Sequence, residues 1–237
     1  MIKLLTWNIL QGGGKRAMAI AEQLVAINPS IVTLQEFRNG KSAPIILDAL
    51  KKIGLEHQHL IQSTAAKNTV MVAAGIPFET FEWADDLDPA LCVRAQFKLP
   101  NAHIDTLHIF AGHLPQKRAQ VPYLDALGKL NTKDYQAALI IGDLNCGIPF
   151  EDSETKSFVN THMFQNLLRN GWTDSWRTRN LDAREYSWIS SRGNGYRYDH
   201  CLATEKADKL INKIDYLHGV REEGLSDHSA MLIELSL

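Results

Sequence analysis

The chain has 237 residues, 45% of them hydrophobic and 22% charged, with a formal net charge of −2 at pH 7. That composition supports a sizeable core and excludes a disordered chain, while the near-neutral balance excludes a protein that grips nucleic acid by overall charge. No apolar run approaches the roughly 18 to 20 residues of a membrane span.

In chain order, "IKLLTWN" reads as a buried strand ending at Asn8. "QGGGKR" suggests a phosphate loop by its glycines, but it fits neither GxxxxGK[ST] nor GxGxxG and reads as a turn. "KRAMAIAEQLVAI" places Met18, Ala21, Leu24 and Val25 on one predicted helical face before Asn28-Pro29 stops it. A second strand, "SIVTLQE", ends at Glu36, and a second helix, "APIILDALKKIG", closes at Gly54. Strands are predicted near 57–62, 68–74, 78–83, 91–98 and 103–111, then a helical region over 117–130 and the strand "AALIIGD". A helix near 157–169 stops at Gly171, and strands follow near 186–190, 197–203, 213–218 and 229–236. No linker, repeat or low-complexity segment intervenes, so residues 1–237 are expected to form one domain. Many strands with few helices, out of strict alternation, predict a mixed α/β fold with sheets packed together under outer helices.

Cys92, Cys146 and Cys201 are odd in number and widely spaced, which excludes a disulfide framework and a zinc ribbon. The opening segment reads as a strand rather than a signal peptide, so the expected setting is the cytoplasm, with no membrane and no obligate protein partner.

The informative pattern is a repetition. Apolar runs end in Asn8, in Glu36, in His113, in Asp143 with Asn145, and in Asp199, and "LSDHSAMLIEL" presents Asp227 and His228 just before the last strand. A single Asp or Asn after a strand usually makes a turn. Six such endings together predict a cleft, because strands of one sheet bring their ends together. Glu36, Asp227 and the carboxamide of Asn8 form an oxygen-rich set suited to a hard cation such as Mg²⁺ or Mn²⁺, whereas no cysteine cluster or HExxH spacing supports zinc.

The segments "TWNI" (6–9), "LQE" (34–36), "GHLP" (112–115), "GDLN" (142–145), "YRYDH" (196–200) and "SDHSAM" (226–231), in that order, resemble the endonuclease/exonuclease/phosphatase superfamily over nearly the whole chain. The resemblance implies a four-layer sandwich of two packed mixed β-sheets flanked by helices, and metal-dependent hydrolysis of phosphate esters at the strand ends. It implies Glu36 as principal metal ligand with Asn8 and Asp227 contributing, and Asp143, helped by Asn145, as the group that orients or deprotonates water. Asp199 and His228 are similar to the family's Asp–His dyad, and His113 to the second histidine of its deoxyribonuclease I and phosphatase branches. The stretch 67–74 offers His113 no acidic partner.

Between Arg169 and Tyr198, six arginines face three acids and are interleaved with Trp172, Trp176, Tyr186, Trp188, Tyr196 and Tyr198. Such a surface suits backbone phosphates and stacked bases, although tryptophans beside strands are as often core. "GWTDSWR" and "YSWISSRGNGYRYDH" are similar to exonuclease III-like proteins, which tilts the expected substrate toward DNA, with Arg192 and Arg197 on phosphates and Trp188 as a base or sugar wedge. Lys15-Arg16 could extend a phosphate track, although such pairs at helix starts are usually solvated. The alternative is an enzyme of the same fold acting on a small-molecule or lipid phosphate ester.

Overall fold

The apolar runs are continuous because the central strands bury both faces. In β1 (Ile2–Asn8), Leu4 enters one core while Leu5 and Trp7 enter another, the alternation that a strand imposes on successive side chains. The computed structural model describes residues 1–99 and 103–236, and its strands form two six-stranded sheets and a hairpin. The first sheet contains β1, β2 (Ile31–Phe37), β3 (His57–His59), β4 (Thr69–Ala74), β13 (Ile211–Leu217) and β14 (Ala230–Leu235), in the order β13-β14-β1-β2-β4-β3. The second contains β5 (Phe78–Phe81), β6 (Cys92–Lys98), β7 (Thr106–His113), β8 (Ala138–Asp143), β9 (Thr173–Asp174) and β12 (Asp199–Ala203), in the order β5-β6-β7-β8-β12-β9. The hairpin pairs β10 (Trp188–Ile189) with β11 (Gly195–Tyr196). Both sheets are mixed: β1–β2 and β7–β8 run parallel, the other neighbours antiparallel.

Helices α1 (Ala17–Ile27) and α2 (Ala43–Lys52) cover the first sheet, burying Ile20, Leu24, Ile46 and Leu50 with Leu5, Trp7 and Leu34. Helices α3 (Val121–Gly128) and α4 (Thr161–Arg169) cover the second, with Leu124, Phe164 and Leu167 on Phe110 and Ile140. Between the sheets lies the largest core, which includes Val72, Ala95, Ile109, Ile141 and Met231. The layers therefore run helix, sheet, sheet, helix. Three short helices, α5 (Ser175–Arg179), α6 (Glu205–Leu210) and α7 (Gly219–Glu222), lie in connections and were not legible as periodic patterns. No helix among the described residues is long and apolar enough to cross a membrane.

One predicted helical face is corrected. The buried stripe of α1 is Ala17, Ile20, Ala21 and Leu24, while Met18 is 59% exposed and Val25 only half-buried. The periodicity allows two adjacent stripes, and Ile20 selects one by packing where a Cβ on Gly13 would otherwise stand, 2.7 Å from its Cδ1.

Register then gathers the polar strand ends. Parallel pairing of β7 and β8 sets Gly112 opposite Gly142 and His113 opposite Asp143, and antiparallel pairing of β12 sets Asp199 opposite Asp143 as well. Three residues far apart in sequence thus stand in one row. The row depends on Gly142, whose φ is +119° and whose added Cβ would fall 2.2 Å from the Gly112 carbonyl oxygen. Gly142→Ala is expected to destabilise the fold by about 3 kcal/mol or more, since a rigid backbone atom must move. Urea melts measure this, and an unchanged midpoint would refute the close approach.

Candidate active site

Asp143 is buried at the end of β8 with both oxygens engaged. Its Oδ1 accepts the Asn145 backbone N–H at 3.1 Å, and its Oδ2 accepts the Asn8 Nδ2 at 3.1 Å. Two histidines approach that same Oδ2: His113 Nε2 at 3.7 Å and His228 Nε2 at 3.8 Å. His228 is fixed from behind by Asp199, whose Oδ2 lies 2.8 Å from His228 Nδ1. Asp199 is held in turn, because Ser187 Oγ accepts its backbone N–H and Tyr216 O–H donates to its carbonyl.

The electrostatics follow from this packing. Burial alone would lower the pKa of His228, but the carboxylates of Asp199 and Asp143 push it up to about 10. Burial pushes the Asp143 carboxyl above its ordinary value, opposed by the field of His228 and reinforced by that of Asp199. His228 is therefore a donor from both ring nitrogens at neutral pH, one of them bonded to Asp199 and the other facing Asp143.

On the opposite side stands Glu36, which takes the left-handed conformation at φ +55° on β2. The β2–β4 register shifts between Leu34 and Phe37, and this bulge aims Glu36 at the cleft although its neighbour Gln35 also points inward, bonding Thr6 and Thr33. Glu36 Oε2 accepts the Gln11 N–H at 2.8 Å, and its Oε1 lies 3.8 Å from His113 Nε2. Asp227 lies in the segment before β14: its Oδ2 accepts the Trp188 indole N–H at 3.0 Å, and its Oδ1 is buried with no hydrogen-bond partner.

Those last two carboxylates fit a hard cation. Among the described residues no group of three or more His, Cys, Asp or Glu side chains could hold a metal by itself. Mg²⁺ does not require one, since it binds through one or two carboxylates and completes its shell with water and substrate phosphate. The unpartnered Asp227 Oδ1 is the donor such an ion would satisfy. Asn8 accepts the Leu10 N–H with its Oδ1 at 3.0 Å, and its Nδ2 donates to Asp143 and lies 3.4 Å from Glu36 Oε1. It bridges two carboxylates as a donor.

Several expectations are revised by burial. Arg197, expected on substrate phosphate, is 1% exposed and spends its guanidinium on Asp152 and Asp174. Trp172 and Trp176 are core residues, the latter beneath Arg197 at 5.4 Å. Arg16 donates to the carbonyls of Leu10 and Leu225 and is not free for a phosphate track. The Asn145 carboxamide holds Leu114 and Gln116, so it reaches Asp143 through its main chain alone. His113 Nδ1 is buried without a partner; within 67–74, Asn68 is bonded to Arg38 at 2.6 Å instead. Arg192 is exposed at the tip of the β10–β11 turn. Trp188 borders the cleft, forming a wall of rings with Tyr196 and Tyr198 at 5.7 and 5.5 Å. That wall, with Phe158, Lys117 and Asn145, lines a recess of about 260 Å³.

Asp152 was not legible in the sequence, where "FEDSE" looks like surface. It is buried, accepts from Arg197 and Arg177, and takes the Ile148 N–H at 2.8 Å, tying the segment after Asn145 to β11 and β12.

A family model described as "Endonuclease/Exonuclease/phosphatase family" matches residues 5–228. No curated protein matches the sequence. Among solved structures, an AP endonuclease from Archaeoglobus fulgidus is similar with a TM-score of 0.81 and 19% identity over 100% of both chains. A 3′ phosphatase from Neisseria bound to a product DNA hairpin gives 0.81 and 19%, again over 100% of both. A 3′-5′ exonuclease from Neisseria meningitidis gives 0.78 and 20% over 100% of both. At these identities the likeness is one of fold.

The buried Arg197 network yields a prediction with a pH sign. Burial would raise the Asp174 carboxyl, but Arg197 and His200 hold it well below the carboxylate range. A carboxyl depressed in the folded state contributes its full stability above the unfolded value of about 3.9 and loses it as pH falls. Asp174→Asn is expected to cost about 3–5 kcal/mol at neutral pH, because a buried guanidinium loses a partner. It should also flatten the loss of stability below about pH 4. Urea melts across pH 3 to 7 measure both, and equal acid slopes in the two proteins would contradict the assignment.

Proposed function

The chain belongs to the Endonuclease/Exonuclease/phosphatase family, and on that premise we propose that it is a divalent-metal-dependent nuclease, one catalytic domain hydrolysing DNA phosphodiesters by in-line attack of water. The observation that carries the reading is the convergence of His113 and His228 on one oxygen of Asp143, at 3.7 and 3.8 Å, with Glu36 and Asp227 on the flank.

Hydrolysis of a phosphodiester needs three things at one place: a water aimed in line, a base for its proton, and positive charge on the phosphoryl oxygens. Asp143 supplies the base. Its raised pKa moves it toward the working range of a proton acceptor, and its hydrogen bonds to Asn8 and the Asn145 N–H fix its direction. His228, charged and oriented by Asp199, would donate from Nε2 to a phosphoryl oxygen of the bound ester. His113 Nε2 would donate to a second oxygen. Glu36 and Asp227 would hold a Mg²⁺ or Mn²⁺, which supplies Lewis-acid stabilisation of the charge that develops on the phosphate. Asn8 keeps Glu36 and Asp143 in register with each other.

The ring wall supports a nucleic-acid substrate. Trp188 and Tyr198, with Tyr196 buried against Tyr198 at 5.2 Å, line a recess shared with Asn145, and on the two half-exposed rings a base or sugar would stack irrespective of sequence. Trp188 also bonds Asp227, so a nucleotide seated on the ring would lie next to that carboxylate. The similar solved structures include one bound to a product DNA hairpin, which agrees with this substrate class. Arg192, exposed at the hairpin tip, would meet a flanking phosphate.

The test is hydrolysis of labelled double-stranded, single-stranded and abasic-site DNA, beside a panel of small phosphate esters, with Mg²⁺ and with EDTA. Cleavage of DNA should require the metal, fall by roughly 10²–10⁴ in kcat in Asp143→Asn, and show a raised KM in Trp188→Ala. Turnover of small esters with DNA left intact would replace this reading by the small-ester alternative.

A further inference from the structure

Beside Glu36 the chain makes a turn of five consecutive residues with positive φ: Leu10 (51°), Gln11 (54°), Gly12 (71°), Gly13 (73°) and Gly14 (50°). Glycine adopts this region freely, whereas Leu10 and Gln11 do so against the contact of Cβ with the carbonyl. The turn has a definite product. It delivers the Gln11 N–H to Glu36 Oε2 at 2.8 Å and the Gly12 N–H to the Glu36 carbonyl at 2.7 Å. Glu36 is itself in the left-handed region, so two unfavourable conformations support each other.

Arg16 closes this turn from outside. One terminal nitrogen donates to the Leu10 carbonyl at 2.6 Å, and the other donates to the carbonyl of Leu225. Leu225 lies two residues before Asp227, in a segment that also bonds β1 through Ser226 Oγ to the Asn8 carbonyl. The guanidinium therefore spans the turn whose amides hold Glu36 and the segment that carries Asp227. It makes no ion pair with either acid among the described residues, so its charge acts near both without occupying their oxygens. The buried, unpartnered Oδ1 of Asp227 is the independent sign that one of those oxygens awaits a ligand.

We propose that Arg16 is a positioning residue that sets the spacing of Glu36 and Asp227 and thereby the affinity of the site for a divalent cation. The inference rests on the metal half of the proposed function. A planar fork is required, because two carbonyls from different segments must be held at once in a fixed direction, which a single rotatable ammonium does not do. Groups that orient metal ligands from outside the coordination shell typically govern affinity by 10- to 100-fold.

The test measures binding without turnover. Free Mn²⁺ is titrated by electron paramagnetic resonance against the wild type, Arg16→Lys and Arg16→Met, and amide exchange of Gln11 and Gly12 is followed in the metal-free proteins. Both variants are expected to bind Mn²⁺ about tenfold more weakly or worse, with faster exchange at the two amides. Arg16→Lys keeps the charge and carries the test alone if Arg16→Met unfolds. Wild-type affinity in a folded Arg16→Lys would overturn the proposal, since charge without the fork would then suffice. Unchanged amide exchange would overturn it too, because the turn would stand without its closure. A wild type that binds no Mn²⁺ removes the metal reading and this inference with it, whereas a wild type that binds while the variants bind equally removes this inference alone.

Discussion

A carboxylate held almost out of water at the end of a central strand is the constraint around which the rest of the cleft is arranged. Asp143 would be costly to bury alone, since desolvation of an ionised group is opposed only by hydrogen bonds and opposite charge. The surroundings supply both: the Asn8 amide and the Asn145 N–H bond its oxygens, and two histidines stand just beyond bonding distance. None of these partners is local except Asn145. They arrive because β1, β7 and β14 end at the same level as β8, and that level is a matter of register. Slipping one strand by one residue would turn its polar end away from the cleft.

The second constraint is mechanical. Loops that follow strand ends are free to move unless tied, and a phosphoryl group must be met within a fraction of an ångström. Two arginines do the tying on opposite flanks. Arg197 binds Asp152 and Asp174, so the segment after Asn145, the strand β9 and the strand carrying Asp199 move as one body. Arg16 joins the turn beneath Glu36 to the segment before Asp227. The first tie is an ion network deep in the fold, where its worth lies in fixing geometry rather than in adding net stability. The second uses backbone carbonyls as acceptors and leaves the carboxylates of the cleft unspent.

Local strain marks the same region. Glu36, Leu10, Gln11 and Asn145 are non-glycine residues at positive φ, and all four border the cleft. Asn145 tolerates that conformation well, whereas Glu36, Leu10 and Gln11 require compensation from the contacts around them. The bulge in β2 is what such strain accomplishes: it presents Gln35 to the inter-sheet space and Glu36 to the cleft, although a regular strand would send neighbours to opposite faces.

The order of the elements and the polar residues at the strand ends were legible in the sequence, because burial on both faces writes itself as an unbroken apolar run, and a polar residue that ends such a run stands out. Asp143 and Glu36 stood out on that ground, whereas Asp199 opens β12 and His228 stands just before β14. Gly142 gave no warning, since the contact that demands a glycine is made by a carbonyl 30 positions earlier. Arg197 was misread, since an arginine between two tyrosines looks like a surface residue until carboxylates 23 and 45 positions away are known to enclose it. Asp152 and Arg16 were opaque for the same reason. By itself the sequence determined which segments form strands and which side chains can do chemistry, both of which depend on composition within a few residues. Only the tertiary structure decided which charges are spent on one another and which face the cleft, because a buried charge takes its role from partners that only the sheet register and the crossing of distant loops bring within reach.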